Sequence, residues 1–191
     1  MDGLVDGERL AHVVAVADDL FFTHGVHAVT MQRIRTESGV PLKKLYGMFP
    51  SKDELLAACL VRRDRIARDA IAERAERSDD PVERVLAVFD FLDDWFNRPG
   101  FHGCVFAGAF GEAGAAAPIV VDTVQAHKQR LRELITALAA DTDVRDPAAV
   151  GAQLAVLFDG AMAIATFTGD TTAARHARLA ARAVLEAGVE G

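Results

Sequence analysis

The stretch of residues 30–52, TMQRIRTESGVPLKKLYGMFPSK, predicts two short helices joined by a tight turn. Thr30 can cap the first helix, because its hydroxyl can accept a hydrogen bond from an otherwise unpaired backbone N–H. Gly39 ends that helix, since glycine adopts left-handed backbone angles without steric cost. Pro41 stands where the second helix begins and where no N–H is needed. Two short helices around a glycine turn form the helix-turn-helix pattern, whose second helix reads the DNA major groove.

The charges of this stretch support contact with nucleic acid. Residues 30–52 contain five basic residues and one acidic residue, a net charge of +4, whereas residues 53–191 contain 15 basic and 22 acidic residues, a net charge of −7. Basic residues that contact phosphates displace condensed counterions from DNA. A solvated face of a small helical domain is the alternative interpretation. The coincidence of turn, caps and charge favours DNA binding.

A second local motif follows directly. Ser51 and Glu54 form a capping box, which predicts that a longer helix starts at this point. The amino end of that helix offers free N–H groups and a positive dipole to a phosphate, and Lys52 adds a full charge there. The later half of the helix carries opposite charges four residues apart, beginning with Asp64 and Arg68, which predicts a solvated face.

The rest of the chain predicts an all-α fold of about nine helices. Apolar spacing predicts a first helix with a buried stripe of Leu10, Val13, Val14, Ala17 and Phe21. Caps, prolines and glycines then bound the later helices, expected over residues 8–24, 51–77, 81–97, 103–112, 118–140, 147–168 and 172–187 in addition to the short pair. The segment 148–168 is apolar enough to resemble a membrane span. Because it contains Gln153 and Asp159, we expect it to be buried in protein, with no membrane contact.

Residues 9–56 resemble the DNA-binding domain of TetR-type transcriptional repressors. The order and spacing match at Ala17, Leu20, Phe21, Gly25, Thr30, Ile34, Gly39, Val40, Leu45, Tyr46, Phe49, Lys52 and Leu55. The resemblance implies a homodimer with an N-terminal DNA-binding domain, residues 1–50, and a helical ligand-binding and dimerisation domain, residues 51–191. The chain departs from the family pattern at Arg35, Ser38, Pro41, Lys43 and Lys44, where smaller or hydroxyl-bearing residues are usual. These departures concern the target sequence rather than the class of protein.

The residues expected to bind double-stranded DNA lie on and around the second short helix. Lys43, Lys44, Tyr46 and Lys52 are predicted to contact phosphates or base edges, while Thr30 and Arg33 hold the flanking backbone. The full predicted set is Thr30, Arg33, Pro41, Leu42, Lys43, Lys44, Tyr46 and Lys52. Leu42 and Leu45 are also expected to turn inward, with Phe49 closing the short helix.

Seven of the 13 aromatic residues lie between residues 89 and 110. They form either an ordinary core or an apolar cavity in which His102, Cys104 and Glu112 supply the polar groups. The resemblance to TetR-type proteins favours a cavity for a small apolar ligand. Its expected lining is Phe89, Trp95, Phe101, Cys104, Phe106, Phe110 and Met162.

The last two predicted helices, numbers 8 and 9, are rich in small residues that allow close helix approach. Two such helices from each of two chains can build a four-helix interface across a two-fold axis. That symmetry places two recognition helices in successive major grooves, about 34–36 Å apart. The alternative is that this apolar surface is covered within one chain.

No motif indicates an enzyme, because the sequence lacks a P-loop, a GxGxxG, a GxSxG and an HExxH pattern. No cofactor or metal is expected. The two cysteines, Cys59 and Cys104, predict free thiols in a reducing compartment, and the acidic first ten residues lack the apolar core of a signal peptide. We therefore expect a cytoplasmic DNA-binding regulator, a repressor released from a palindromic operator by a small apolar ligand. The alternative is an all-helical small-molecule binding protein without DNA binding.

Overall fold

A computed structural model describes residues 6–190, apart from the side chains of Ala115 and Glu190. Within this range the chain forms nine α-helices, one short 3₁₀ helix and no strand, which confirms the all-α prediction. The helices are α1 (Asp6–His24), α2 (Met31–Ser38), α3 (Leu42–Met48), α4 (Lys52–Ala75), α5 (Pro81–Phe96), α6 (Val105–Ala113), α7 (Pro118–Ala140), α8 (Pro147–Thr168) and α9 (Ala173–Glu190), with the 3₁₀ turn at Gly114–Ala116. Residues 1–5, which belong to the acidic first ten residues considered above, lie outside the described range.

The predicted helix caps are confirmed where the sequence placed them. The Thr30 hydroxyl accepts a hydrogen bond from the Arg33 backbone N–H at 3.2 Å. Gly39 has a φ of 67°, the left-handed conformation expected of a glycine that ends a helix. At the start of α4, the Ser51 hydroxyl accepts from the Glu54 N–H at 3.1 Å. These local bonds fix where α2 ends and where α4 begins.

The described residues pack into two units that do not follow the order of the chain. The first unit combines the residues up to Asp64 with Val105–His127, and the second combines Arg65–Cys104 with the residues from Lys128 onward. The first unit therefore holds α1–α3, α6 and one half each of α4 and α7. The predicted domain boundary at residue 50 divides the chain by sequence, whereas these units divide it by packing.

The first unit is built on the apolar stripe of α1. Val13 and Ala17 are fully buried, and Ile34 of α2 and Leu45 of α3 are buried in the same unit. The expectation that Leu10 is buried is wrong, because its side chain is 43% exposed and the buried stripe begins only at Val13. Burial of Leu45 anchors α3 by one face and leaves its other faces outward.

The expectation of a solvated face along the later half of α4 is wrong at Asp64. Its side chain is only 2% exposed, and its Oδ1 lies 2.8 Å from Nδ1 of His127 on α7. A buried carboxylate needs such a partner, since an unpaired charge away from water is very costly. The pattern of opposite charges four residues apart therefore does not predict the burial of Asp64.

The second unit is an apolar helical bundle in which α9 packs against α5 and α8. Its fully buried residues include Phe89 of α5 and Leu154 of α8. Asp80 and Asp146 cap the starts of α5 and α8, as predicted. The close approach of α7 and α8 requires glycine at position 151, because a Cβ there would lie 2.1 Å from Oγ1 of Thr136.

Among the described helices, α8 alone has the length and apolar composition that would allow it to cross a membrane. In the second unit it packs against α5 and α9 and buries seven residues, among them Leu154, Phe158 and Met162. Asp159 on the same helix forms a 2.5 Å ion pair with Lys128. These contacts are those of a helix that belongs to a protein core.

Candidate nucleic-acid interface and ligand site

The second helix of the helix-turn-helix presents its basic residues outward. Leu45 is fully buried, whereas Lys43, Lys44 and Tyr46 are exposed on the remaining faces of α3. Tyr46 keeps 47% of its side-chain area exposed. An exposed tyrosine flanked by lysines offers hydrogen-bonding and charged groups to a polyanion without competing with the core. The structure therefore brings together these three predicted residues on one short helix.

The flanking predicted residues have more varied surroundings. Pro41 is exposed at the N-cap of α3, while Leu42 is half-buried rather than fully turned inward. Thr30 is exposed and caps α2. The Arg33 guanidinium, half-buried, donates from Nη2 to Nε2 of His24 at 2.8 Å, and the ring nitrogen must be the acceptor because a guanidinium only donates. Arg33 thus ties the start of α2 to the end of α1.

Lys52 has contacts that the sequence did not indicate. Its Nζ donates to the carbonyl oxygens of Val26 and Val29, at 2.9 and 3.2 Å. Both carbonyls belong to the α1–α2 loop, residues 25–30, so the first residue of α4 holds this loop. The ammonium charge remains close to the start of α4, and direct contact of Lys52 with DNA stays a prediction.

A buried ion cluster that sequence reasoning missed joins α1 to α4. Asp18, 4% exposed, accepts hydrogen bonds from Arg62 at 2.9 Å and from Arg63. The guanidinium of Arg63 also lies 4.3 Å from the centre of the Phe22 ring, a cation–π contact. The available signal was spacing, because Asp18 falls three residues before Phe21 on the buried side of α1.

Five residues of the predicted ligand set belong to the second unit. Phe89 and Met162 are buried in its apolar core, and Trp95, Phe101 and Cys104 pack half-buried against that core. Ring contacts link them to their neighbours: Trp95 meets Phe91 edge to face at 5.3 Å, and Phe101 meets Phe96 at 5.1 Å. The packing of these five residues is therefore compatible both with an ordinary core and with the lining of a ligand cavity.

The other two members of the predicted set, Phe106 and Phe110, belong to the first unit. Phe106 is buried and stacks on the ring of His127, with centroids 3.6 Å apart and planes 6° apart. Phe110 is 46% exposed. Closeness in sequence to Phe101 suggested one aromatic group, but the packing assigns the residues of α6 to the unit that contains the helix-turn-helix.

Glu112 also has a different position from the one expected of a polar group in a ligand cavity. Its Oε2 accepts a hydrogen bond from the backbone N–H of His27 at 3.0 Å. The carboxylate at the end of α6 therefore contacts the α1–α2 loop within the first unit. Nothing in the sequence indicated this contact, because the two residues are 85 positions apart.

An open cleft of about 230 Å³ lies elsewhere in the second unit, where the start of α8 meets the end of α9. Its walls are Arg145, Asp146, Ala149, Val150, Gln153, Val184, Ala187 and Gly188. None of these residues belongs to the predicted ligand set. Two of its lining residues are joined by a hydrogen bond from the Arg145 backbone N–H to the Gly188 carbonyl oxygen at 3.0 Å.

Helices α8 and α9 expose large apolar side chains in the second unit. Phe167 is 82% exposed, Val156 72% and Leu179 65%, and Ile164 is also exposed. Within the described residues, these are the most exposed large apolar side chains of the two helices. Apolar groups left in water at this level are typical of surfaces that bind another protein.

Both cysteines are free thiols. Cys59 is buried in the first unit, and burial raises the pKa of its thiol far above the ordinary value, with the nearby Asp18 carboxylate acting in the same direction. Cys104 is half-buried in the second unit, with its backbone N–H bonded to Oγ1 of Thr166 at 3.2 Å. In the described part of the chain, no group of three or more His, Cys, Asp or Glu side chains is placed to hold a metal ion.

Comparison with known proteins agrees with this architecture. Residues 13–59 match the family model for bacterial regulatory proteins of the tetR family, and residues 81–181 match that for the tetracyclin repressor-like C-terminal domain. The second match alone covers more than half of the chain. The first match covers the helix-turn-helix, so the alternative of a ligand-binding protein without DNA binding is not retained.

Solved structures give the same result over nearly the whole chain. A TetR-family transcriptional regulator from Streptomyces coelicolor is 31% identical, with a TM-score of 0.83 over 96% of this chain and 97% of that one. A TetR transcriptional regulator from Streptomyces avermitilis is 26% identical, with a TM-score of 0.81 over 94% and 97%. One from Haloarcula marismortui, at 22% identity and a TM-score of 0.77 over 95% and 98%, shares the fold.

These regulators are not enzymes, and each domain of the present chain has its counterpart among them. The helix-turn-helix with its outward lysines is the DNA-binding domain, and the apolar helical bundle corresponds to the ligand-binding domain. The chain belongs to the TetR family of bacterial transcriptional regulators.

Proposed function

We propose that this regulator is a repressor that binds a palindromic operator as a homodimer and leaves it when a small apolar ligand binds. The observation that carries the DNA-binding part is the outward display of Lys43, Lys44 and Tyr46 on a helix anchored by the fully buried Leu45. In a chain of net charge −7, this basic helix is where a polyanion is attracted.

The predicted DNA-binding residues take different parts in this proposal. Lys43, Lys44 and Tyr46 contact phosphates or base edges in the major groove. Thr30 and Arg33, at the start of α2, hold the flanking phosphates, and Pro41 and Leu42 set the entry of α3. The charge of Lys52, together with the dipole of α4, attracts a phosphate, although its donor bonds go to the α1–α2 loop.

The proposed dimer interface lies on α8 and α9. Val156, Phe167 and Leu179 would lose contact with water there, and burial of apolar area at about 25 cal/mol per Å² stabilises such an interface. An interface of this kind is self-complementary across a two-fold axis. The same axis presents two copies of α3 to a palindrome.

The proposed ligand site lies in the second unit, around Trp95, Phe101 and Cys104, with Phe89 and Met162 behind them. Ligand sites are lined mainly by apolar and aromatic side chains with a few polar groups, and Trp95, Phe101 and Cys104 supply this combination at the edge of the core. Release from DNA requires that the ligand bind the dimer conformation with low DNA affinity better than it binds the operator-bound conformation. Phe106 and Phe110 belong to the first unit, and their place in the ligand site stays a prediction.

The chain is expected to work in the cytoplasm, where the bacterial chromosome is accessible to it. The test of the proposal is selection of bound duplexes from a random pool at two salt concentrations. A palindromic sequence with half-sites one helical turn apart is the expected result, with affinity that falls steeply as salt rises. Absence of any enriched sequence would contradict the operator-binding proposal.

A further inference from the structure

The α1–α2 loop, residues 25–30, is held by two charged side chains from distant parts of the first unit. Lys52 Nζ donates to the carbonyls of Val26 and Val29, as described above. A negatively charged side chain contacts the same loop: Glu112 Oε2 accepts a hydrogen bond from the N–H of His27, which lies between Val26 and Val29 in the sequence. Hydrogen bonds in which one partner is ionised are shorter and stronger than neutral ones. Three backbone groups of one short loop are thus fixed by an ammonium and a carboxylate.

Glu112 also lies near the first residue of the loop. Gly25 has a φ of +81°, and a Cβ built at that position would lie 3.5 Å from Oε1 of Glu112, an ordinary van der Waals distance. The contact that holds the loop is therefore the hydrogen bond to the His27 N–H. Glu112 is the next-to-last residue of α6, and its side chain is half-buried.

The loop leads directly into the DNA-binding helices. Thr30, its last residue, caps α2, and α2 joins α3 through the Gly39 turn. Since α2 has 8 residues and α3 has 7, the loop is separated from α3 by a single short helix and its turn, and a shift of the loop displaces the start of α2. Misplacement of recognition groups by about 1 Å is enough to weaken a site that depends on orientation.

We propose that Glu112 is a positioning residue for DNA recognition, holding the α1–α2 loop opposite Lys52 and thereby setting where α3 presents its lysines. This inference rests on the proposed function, in which α3 contacts DNA. For the removal of Glu112, this role predicts a change in DNA affinity opposite in sign to the change expected from charge alone. A carboxylate repels DNA, so its removal should tighten binding if charge were its only effect. Removal of a positioning contact should weaken binding.

The test compares Glu112→Ala, Glu112→Gln and a charge-matched control, Glu76→Ala. Glu76 is an exposed residue of the second unit just after α4, so its removal changes the net charge of the chain equally. We expect Glu112→Ala to weaken binding of the selected duplex about three- to tenfold, which corresponds to the usual net contribution of one solvent-exposed hydrogen bond. Glu112→Gln retains an oxygen acceptor for the His27 N–H and should stay within about twofold of the wild type.

A second readout requires no DNA. Hydrogen exchange of the His27 amide, measured by NMR, should become faster in Glu112→Ala and remain close to wild type in Glu112→Gln, while amides in the middle of α5 are unchanged. If Glu112→Ala does not fold, Glu112→Asp, whose arm is one methylene shorter, should show a smaller loss in the same direction.

Two outcomes would overturn the inference. One is Glu112→Ala binding DNA as tightly as, or more tightly than, the wild type, which leaves charge repulsion as the only role of Glu112. The other is equal His27 exchange in Glu112→Ala and the wild type, which removes the contact itself. If the wild type binds no duplex, the proposed function fails and the recognition role of Glu112 fails with it, while His27 exchange still reports whether the loop contact exists.

Discussion

The two units differ in whether their polar and charged side chains are buried. All four buried polar or charged residues of the described chain, Asp18, Ser38, Asp64 and His127, lie in the first unit. The core of the second unit is apolar, and its ion pairs, such as those of Glu83, lie at the surface of the bundle.

The difference suggests different demands on the two units. Buried polar groups must find their partners, so they favour one arrangement over similar alternatives. The first unit carries α3, and its Asp18–Arg62–Arg63 and Asp64–His127 contacts join α4 to α1 and to α7. An apolar core tolerates substitution of one hydrophobic residue by another if volume is kept. A ligand-binding bundle can therefore change its specificity without losing its fold.

Removal of one carboxylate from an ion cluster in each unit should change the free energy of unfolding by different amounts. Asp18→Ala removes a buried carboxylate that accepts hydrogen bonds from the partly exposed Arg62 and Arg63, and the loss of two bonds between charged groups should lower the free energy of unfolding by about 2–3 kcal/mol. Glu83→Ala removes a carboxylate that bonds Arg178 and Arg182 on α9. Because that cluster is partly exposed, the loss should be about 1 kcal/mol or less. Urea denaturation measures both, and equal losses would remove the contrast between the units.

A substitution in the second unit tests how tightly its apolar core is packed. Gly151→Ala forces a methyl group into the space of Thr136 and should lower the free energy of unfolding by about 1–3 kcal/mol. Gly108→Ala, inside α6 with nothing within 4 Å of the added Cβ, should be neutral or slightly stabilising because alanine favours helices. If both variants melt at the same temperature, the close α7–α8 contact is absent in solution.

Replacement of one lysine on α3 tests the predicted contact with DNA phosphates. Lys44→Ala should weaken binding to the selected duplex and reduce the slope of log K against log salt by about one unit, because one phosphate contact is lost. The comparison is with Arg132→Ala, which removes an equal charge from an exposed position on α7 in the second unit. A slope for Lys44→Ala that equals the wild-type slope would exclude Lys44 from phosphate contact.

The proposed ligand site can be followed through Trp95, the only tryptophan in the chain. Entry of an apolar molecule beside its half-buried ring should shift or quench its fluorescence and lower DNA affinity in the same concentration range. Phe101→Ala should weaken both responses together. A panel of apolar compounds that changes neither signal would contradict the ligand site in the second unit.

The smallest effect concerns Cys59. Because burial raises the pKa of this thiol, the folded protein keeps its proton while the unfolded chain loses it above a pH of about 8.5. The stability contribution is thus complete below that pH and decreases as pH rises further. Cys59→Ala should show a weaker alkaline dependence in urea denaturation than the wild type. Alkylation of native protein near pH 8 should modify Cys104 and leave Cys59 unmodified, and equal modification of both would contradict the burial of Cys59.

Sequence reasoning succeeded where the physical cause is local. The caps at Thr30 and Ser51 and the turn at Gly39 each depend on groups within four residues, so spacing alone predicts them. It did not find contacts that join distant segments: Lys52 reaches back 23 and 26 residues to the α1–α2 loop, and Glu112 reaches back 85. The same limit applies to Phe106: its position in the sequence groups it with the aromatic residues of the second unit, although its stacking partner, His127, lies in the first.

In the proposed complex, two copies of α3 related by a two-fold axis bind one operator. Hydroxyl-radical footprinting of the selected duplex with the intact regulator distinguishes this arrangement from binding by a single copy. Two protected stretches with centres about 10 base pairs apart, symmetric about the middle of the palindrome, are the predicted result. A single protected stretch, or protection that disappears from only one half-site in Lys44→Ala, would contradict the two-fold arrangement.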